Sequence, residues 1–181
     1  MVLINITEEM MSEAKKMAVD MVNNGLYNRF GGDFDYQVEK AKIGCIGEIA
    51  FEEYLADSNI PFATDRTGHG ERHSDDFDVK INNKTIDIKT AKTERTPIPK
   101  WTYGYPKQQM GMSKNYIVIC YYSPSRNTVG IYGWMEFSRL TEFPVTYKNN
   151  FANFSYKTPN HEFPISELNT DIGLLINEVT R

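Results

Sequence analysis

The sequence predicts a single α/β domain. Two segments of helical periodicity occupy its N-terminal third, an alternating hairpin follows, and an unbroken apolar strand comes after that. At 181 residues the chain is long enough for one well-cored domain and short for two. Its 40% apolar and 13% aromatic residues offer enough surface to bury, which excludes a disordered chain. No internal repeat and no linker divides it.

The first helix is predicted over 7–24. Met10, Met11, Ala14, Met17, Ala18, Met21 and Val22 recur at helical spacing, Asn5 or Thr7 supplies a cap, and Asn23-Asn24-Gly25 ends it. Residues 26–35, with Gly31-Gly32, read as a loop. A second helix is predicted over 36–56. It is apolar nearly all round, as a buried helix is. Gly44 and Gly47 cost it roughly 1 kcal/mol each against Ala, and they permit close backbone approach. Glu48 lies in the middle of this apolar stretch. It either points outward to solvent or is buried with a partner.

Pro61-Phe62-Ala63-Thr64 reads as a short strand and 65–75 as a polar loop. His69 and His73 lie in that loop without a CxxC partner, which makes a weak zinc set. Tyr116 to Tyr122 is the strongest strand, apolar throughout, and belongs in the sheet centre. Thr128 to Met135 is a further strand. The segment 93–114 reads as irregular and 136–160 as peripheral. Pro164 to Leu168 reads as a helical turn, and Ile172 to Val179 as a closing helix or strand.

The hairpin carries the chemistry. Phe77, Val79 and Ile81 alternate on one side of Asn82-Asn83, and Ile86 and Ile88 resume beyond it. A two-residue loop sets Ile81 opposite Lys84, Val79 opposite Ile86 and Asp78 opposite Asp87. The apolar residues then share one face, and Asp76, Asp78, Asp87 and Lys89 share the other. Carboxylates held that close repel unless a proton or a cation lies between them. A hard divalent cation on oxygen ligands suits the spot, with Lys89 beside it. That is phosphodiester hydrolysis in outline.

The net charge of −4 does not by itself point to nucleic acid. Its distribution is more informative: residues 1–79 carry −9, residues 80–114 carry +6 and residues 115–181 carry −1. The cationic stretch includes Lys92, Arg95, Lys100, Lys107 and Lys114, interleaved with Trp101, Tyr103 and Tyr105. Cations attract phosphates and flat rings stack on unpaired bases, so Lys92, Arg95, Lys100, Trp101, Lys107 and Gln108 are the candidate nucleic-acid contacts. The alternative is a solvated loop whose aromatics belong to the core.

The order Gly44-x-x-Gly47-Glu48-x-x-Phe51-x-x-Tyr54-Leu55, Phe77-Asp78-Val79, and Ile86-Asp87-Ile88-Lys89-Thr90 resembles the PD-(D/E)xK nuclease superfamily. The resemblance covers residues 36–134. The leading Pro is absent, and Asp replaces Glu in the last triplet, a change within the superfamily's pattern. The resemblance implies a restriction-endonuclease-like mixed β-sheet flanked by helices, with 135–181 as a C-terminal elaboration. It also implies Mg²⁺, with Mn²⁺ as a substitute, and a catalytic set of Glu48, Asp78, Asp87 and Lys89. Asp78 and Asp87 would ligate the ion, joined by the Ile88 carbonyl. Glu48 would bind through water or hold a second ion. Lys89 would orient or deprotonate the attacking water, or offset transition-state charge. Asp76 is the alternate ligand, or a salt-bridge partner of Lys89.

The implied function is Mg²⁺-dependent cleavage of DNA in a phage, mobile-element or defence setting, with homodimerisation where both strands are cut. A non-catalytic nucleic-acid or protein-binding module on the same fold, and an RNA-directed nuclease, are the alternatives. Cys45 and Cys120 sit among apolar neighbours and read as buried hydrophobes of a reducing compartment. The chain shows no basic leader and no run of the ~18 apolar residues a membrane span needs. The expected setting is therefore the cytoplasm of a bacterium or a phage-infected host, away from membranes.

Overall fold

A strand whose every residue is buried organises the molecule: β6 (Tyr116–Ser123) in a six-stranded sheet. The computed structural model describes residues 1–28, 31–66, 77–111 and 114–181. The other strands of that sheet are β1 (Val2–Asn5), β2 (Ala63–Thr64), β3 (Val79–Ile81), β4 (Lys84–Lys92) and β7 (Thr128–Glu136), in the order β1-β7-β6-β4-β3-β2. β4 and β6 run parallel, and every other pair is antiparallel. The sheet is therefore mixed, as expected, with the strongest apolar strand inside it.

Alternation along β6 divides the core in two. Tyr116, Val118, Cys120 and Tyr122 face the helical layer. Ile117, Ile119 and Tyr121 face a second, three-stranded sheet.

The helical layer follows from its sequence. In α1 (Glu8–Asn23), Thr7 Oγ1 accepts the Met10 N–H at 3.2 Å, which selects Thr7 over Asn5 as the cap. Met10, Ala14, Met17, Ala18 and Val22 are its buried stripe. α2 (Phe34–Asp57) starts two residues earlier than its apolar pattern suggests, because Asp33 caps it by accepting the Tyr36 N–H at 2.9 Å. Cys45, Ile46, Ala50, Phe51 and Leu55 bury it in the sheet face. α3 (Ile172–Thr180), capped by Asp171, adds Ile172, Leu175 and Val179 to the same core. Cys45 and Cys120 are buried free thiols.

Two stretches differ from the sequence reading. The segment 93–114 contains a strand, β5 (Thr102–Pro106), and a 3-10 turn over Lys107–Gln109. The supposedly peripheral 136–160 contributes β8 (Val145–Lys148) and the start of β9 (Ser155–Pro164). These three strands form the second sheet in the order β5-β9-β8. Gly104 and Pro106 hid the alternation of β5. Gly104 leaves room for the end of the Tyr156 side chain, which would lie 2.5 Å from a Cβ there. Pro106 is tolerated at the last position of an edge strand. Pro159 hid β9. It lies just past the last β5 pair, Pro106↔Asn160, and within the interval where the β8–β9 register shifts.

Candidate active site

The hairpin takes the predicted register: Ile81 pairs with Lys84 and Val79 with Ile86. Asn82 accepts the turn strain with φ 52, a left-handed backbone that Asn tolerates. Its Nδ2 donates to the Val179 carbonyl at 3.1 Å and ties the turn to α3. Val79, Ile81, Ile86 and Ile88 belong to the core beneath the helices. By the alternation of the strand, Asp87 and Lys89 face the other way.

The ladder breaks at Asp78, and the break forms the site. The Asp78 N–H donates to Ile86 O at 3.2 Å, the carbonyl that Val79 also faces. Asp78 Oδ2 accepts the Ile88 N–H at 2.5 Å. A carboxylate thus stands where a backbone carbonyl would continue the strand pair. Asp78 is half-buried and directed at β4, and Asp87 beside it is fully buried.

Two ammonium groups hold Asp87. Lys89 Nζ lies 2.7 Å from Oδ2, and Lys114 Nζ contacts Oδ1. The Lys114 side chain is 3% exposed. Burial would raise the Asp87 pKa, but Lys89 and then Lys114 outweigh it and hold the carboxyl below its ordinary value. Asp78 goes the other way. Burial, and then the negative charge of Asp87, push it up to about 6 against the pull of Lys89, the Ile88 N–H and Lys114. Burial would lower Lys89, yet Asp87 and Asp78 hold it well above its usual range. Lys89 is therefore a cation at neutral pH, suited to offsetting charge and orienting water, not to removing a proton. The ring of Tyr105, fully buried, lies 5.7 Å from Lys89 Nζ. Burial and then Asp87 raise its phenol, so it stays neutral.

Glu48 reaches this region because α2 packs tightly on β4. A Cβ on Gly47 would sit 1.7 Å from Thr90 Oγ1, so only Gly admits the contact. Gly44 meets only the Tyr27 hydroxyl, at 3.6 Å, and does not need to be Gly for that reason. Glu48, Asp78, Asp87 and Lys89 line one cleft of ≈ 1230 Å³, together with Lys40, Lys92 and Lys114.

Carboxylate oxygens such as those of Asp78 and Asp87 are the ligand type a hard divalent cation takes. Asp87 Oδ2 is buried without a well-directed hydrogen bond despite the nearby ammonium. Burial, and then the neighbouring charge of Asp87, raise the Asp78 carboxyl. Among the described residues no group of three ligating side chains forms, so water would complete the shell of an ion on Asp78 and Asp87. Asp76, the alternate ligand, lies outside the described residues, as do His69 and His73.

The predicted nucleic-acid contacts are dispersed. Lys92 lines the cleft, and Gln109 does so next to exposed Lys107 and Gln108. Arg95 and Lys100 are exposed, with Lys100 Nζ 5.9 Å over the Phe151 ring. Trp101 is half-buried and packs on Tyr121 and Phe151 at 6.0 and 6.1 Å, so core packing takes part of its surface. Tyr105 is core. Sequence reasoning placed Lys114 only within a charge run. Its signal was position, two residues before the strand that pairs in parallel with β4.

No helix among the described residues is long and apolar enough to cross a membrane. Comparison of the chain with protein-family models, curated proteins and solved structures finds no match.

Proposed function

We propose that the chain is a Mg²⁺-dependent phosphodiester hydrolase of PD-(D/E)xK type with a restriction-endonuclease-like fold, acting on DNA. The observation that carries the reading is that Asp78, Asp87, Lys89 and Glu48 line one cleft, in the order the motif requires. The mixed sheet with α2 packed behind the hairpin agrees with it. Asp78 and Asp87 would hold the ion, with Glu48 acting through water. When bound, the ion supplies Lewis acidity and an activated water. Lys89 offsets negative charge on the phosphoryl oxygens. Lys40 and Lys92 at the same cleft draw the phosphate backbone to an otherwise acidic chain.

Asp87→Asn and Lys89→Met should each abolish Mg²⁺- or Mn²⁺-dependent cleavage while circular dichroism stays native. The assay runs in parallel on single- and double-stranded DNA and RNA. Full cleavage by both variants removes the proposal, and cleavage confined to RNA moves the substrate. One observation favours a binding module instead: two lysines already neutralise Asp87. Calorimetric titration with Mn²⁺ separates the two, because an adaptor has no specific site.

A further inference from the structure

Lys114 is the least expected group in the cleft. An ammonium is costly to bury, and a lysine side chain loses considerable freedom when fixed. Here the cost falls on a residue whose backbone the fold secures. Its neighbour Asn115 accepts the Thr85 N–H on Oδ1 at 2.9 Å and donates its own N–H to Thr85 O at 3.1 Å. The Asn115 carbonyl accepts the Phe137 N–H at 2.9 Å. Lys114 is thus held at the mouth of the parallel β4–β6 pair, and its side chain reaches Asp87 Oδ1.

Asp78 and Asp87 against Lys89 and Lys114 make a balanced quartet at neutral pH. A divalent cation entering beside Asp87 would meet two ammonium groups within a poorly screened pocket. Lys89 is fixed two residues along the same strand face as Asp87. Lys114 comes from outside the strand and occupies Oδ1, the carboxylate oxygen that Lys89 leaves open.

Resting on the hydrolase reading, we infer that Lys114 is a built-in competitor of the divalent cation for Asp87. A bound ion would compete with the Lys114 ammonium for Asp87, and a released Lys114 would offer its charge to a phosphodiester. The cation affinity of the resting protein is weakened accordingly, and substrate phosphate strengthens it by drawing Lys114 away.

Two measurements on the full chain test this. In calorimetric titration with Mn²⁺ and no nucleic acid, Lys114→Met should bind at least ten-fold more tightly than wild type. In wild type, acetylation of Lys114 read by mass spectrometry should rise several-fold on adding saturating Mn²⁺, relative to Lys107 as an exposed standard. This second readout needs no variant and so does not depend on the substitution folding. Equal or weaker Mn²⁺ binding by Lys114→Met, or unchanged labelling on Mn²⁺ binding, overturns the inference while leaving the hydrolase reading standing. Absence of any Mn²⁺ site in both proteins overturns the hydrolase reading and the inference with it.

Discussion

Asp78 is expected to cost the metal-free fold stability, and replacing it with Asn should recover that loss. Its carboxyl has a pKa of about 6, against an ordinary 3.8, because burial and Asp87 disfavour the charge. Between those values the folded chain holds a proton that the unfolded chain has released. Stability therefore falls as pH rises through 3.8 to 6, and the full penalty applies above 6. Rising from 3.8 to about 6 corresponds to roughly 3 kcal/mol. Lys89 and Lys114 oppose the shift without cancelling it. Asp78 remains in contact with water, so about 1–2 kcal/mol is a fairer expectation. For a chain of this size that is roughly 2–8 °C in Tm. Asn keeps an oxygen to accept the Ile88 N–H, so the ladder break survives. Thermal unfolding with a chelator present should place Asp78→Asn above wild type at pH 7.5 and close to it at pH 4. A lower Tm at pH 7.5, or the same difference at both pH values, would refute the argument that Asp78 is held as a strained anion.

Two further outcomes follow from the same geometry. Stabilisation by Mn²⁺ should be large at pH 7.5 and shrink below pH 6, where Asp78 takes up its proton; thermal shift across pH 5 to 8 checks this, and a flat profile contradicts it. Gly47→Ala should destabilise by about 1–2 kcal/mol in denaturant unfolding, since overpacking against Thr90 outweighs the helix propensity gained. Thr90→Gly in the same chain should recover most of the loss, and an unaffected Gly47→Ala would show that the contact is loose.

Local periodicity made most of the first core legible. The Met and Ala stripe of α1, the all-round burial of α2, and the hairpin register needed only spacing and caps. β1 escaped, because four residues with a burial alternation of half-buried and exposed carry too little signal. The second sheet escaped for a different reason. β5 and β9 carry Pro and Gly at positions that punctuate strands elsewhere, and these residues are permitted here only by an edge and a register shift. The site divides the same way. Asp78, Asp87 and Lys89 lie within one hairpin, so turn length alone brought them together. Glu48 needed the Gly47–Thr90 approach, and Lys114 needed the parallel pairing of strands 27 residues apart in the contact it makes. Both depend on tertiary structure that no local window contains.

On the proposed hydrolase reading, the electrostatics of the cleft would let an acidic chain accept a polyanion. Carboxylates alone would repel phosphate, and lysines alone would draw it without a place for an ion. Placing Asp87 between Lys89 and Lys114 avoids both outcomes, because each charge is offset where it stands. The cost appears at Asp78, whose carboxyl is pushed up by burial and then by the charge of Asp87, against the pull of Lys89 and Lys114. A divalent ion would remove that cost at Asp78 and displace a lysine at Asp87. The same residue that weakens ion binding would then become the group that meets the substrate. Ion and phosphate would thus favour each other's binding, a coupling that follows from charge balance and requires no change of fold.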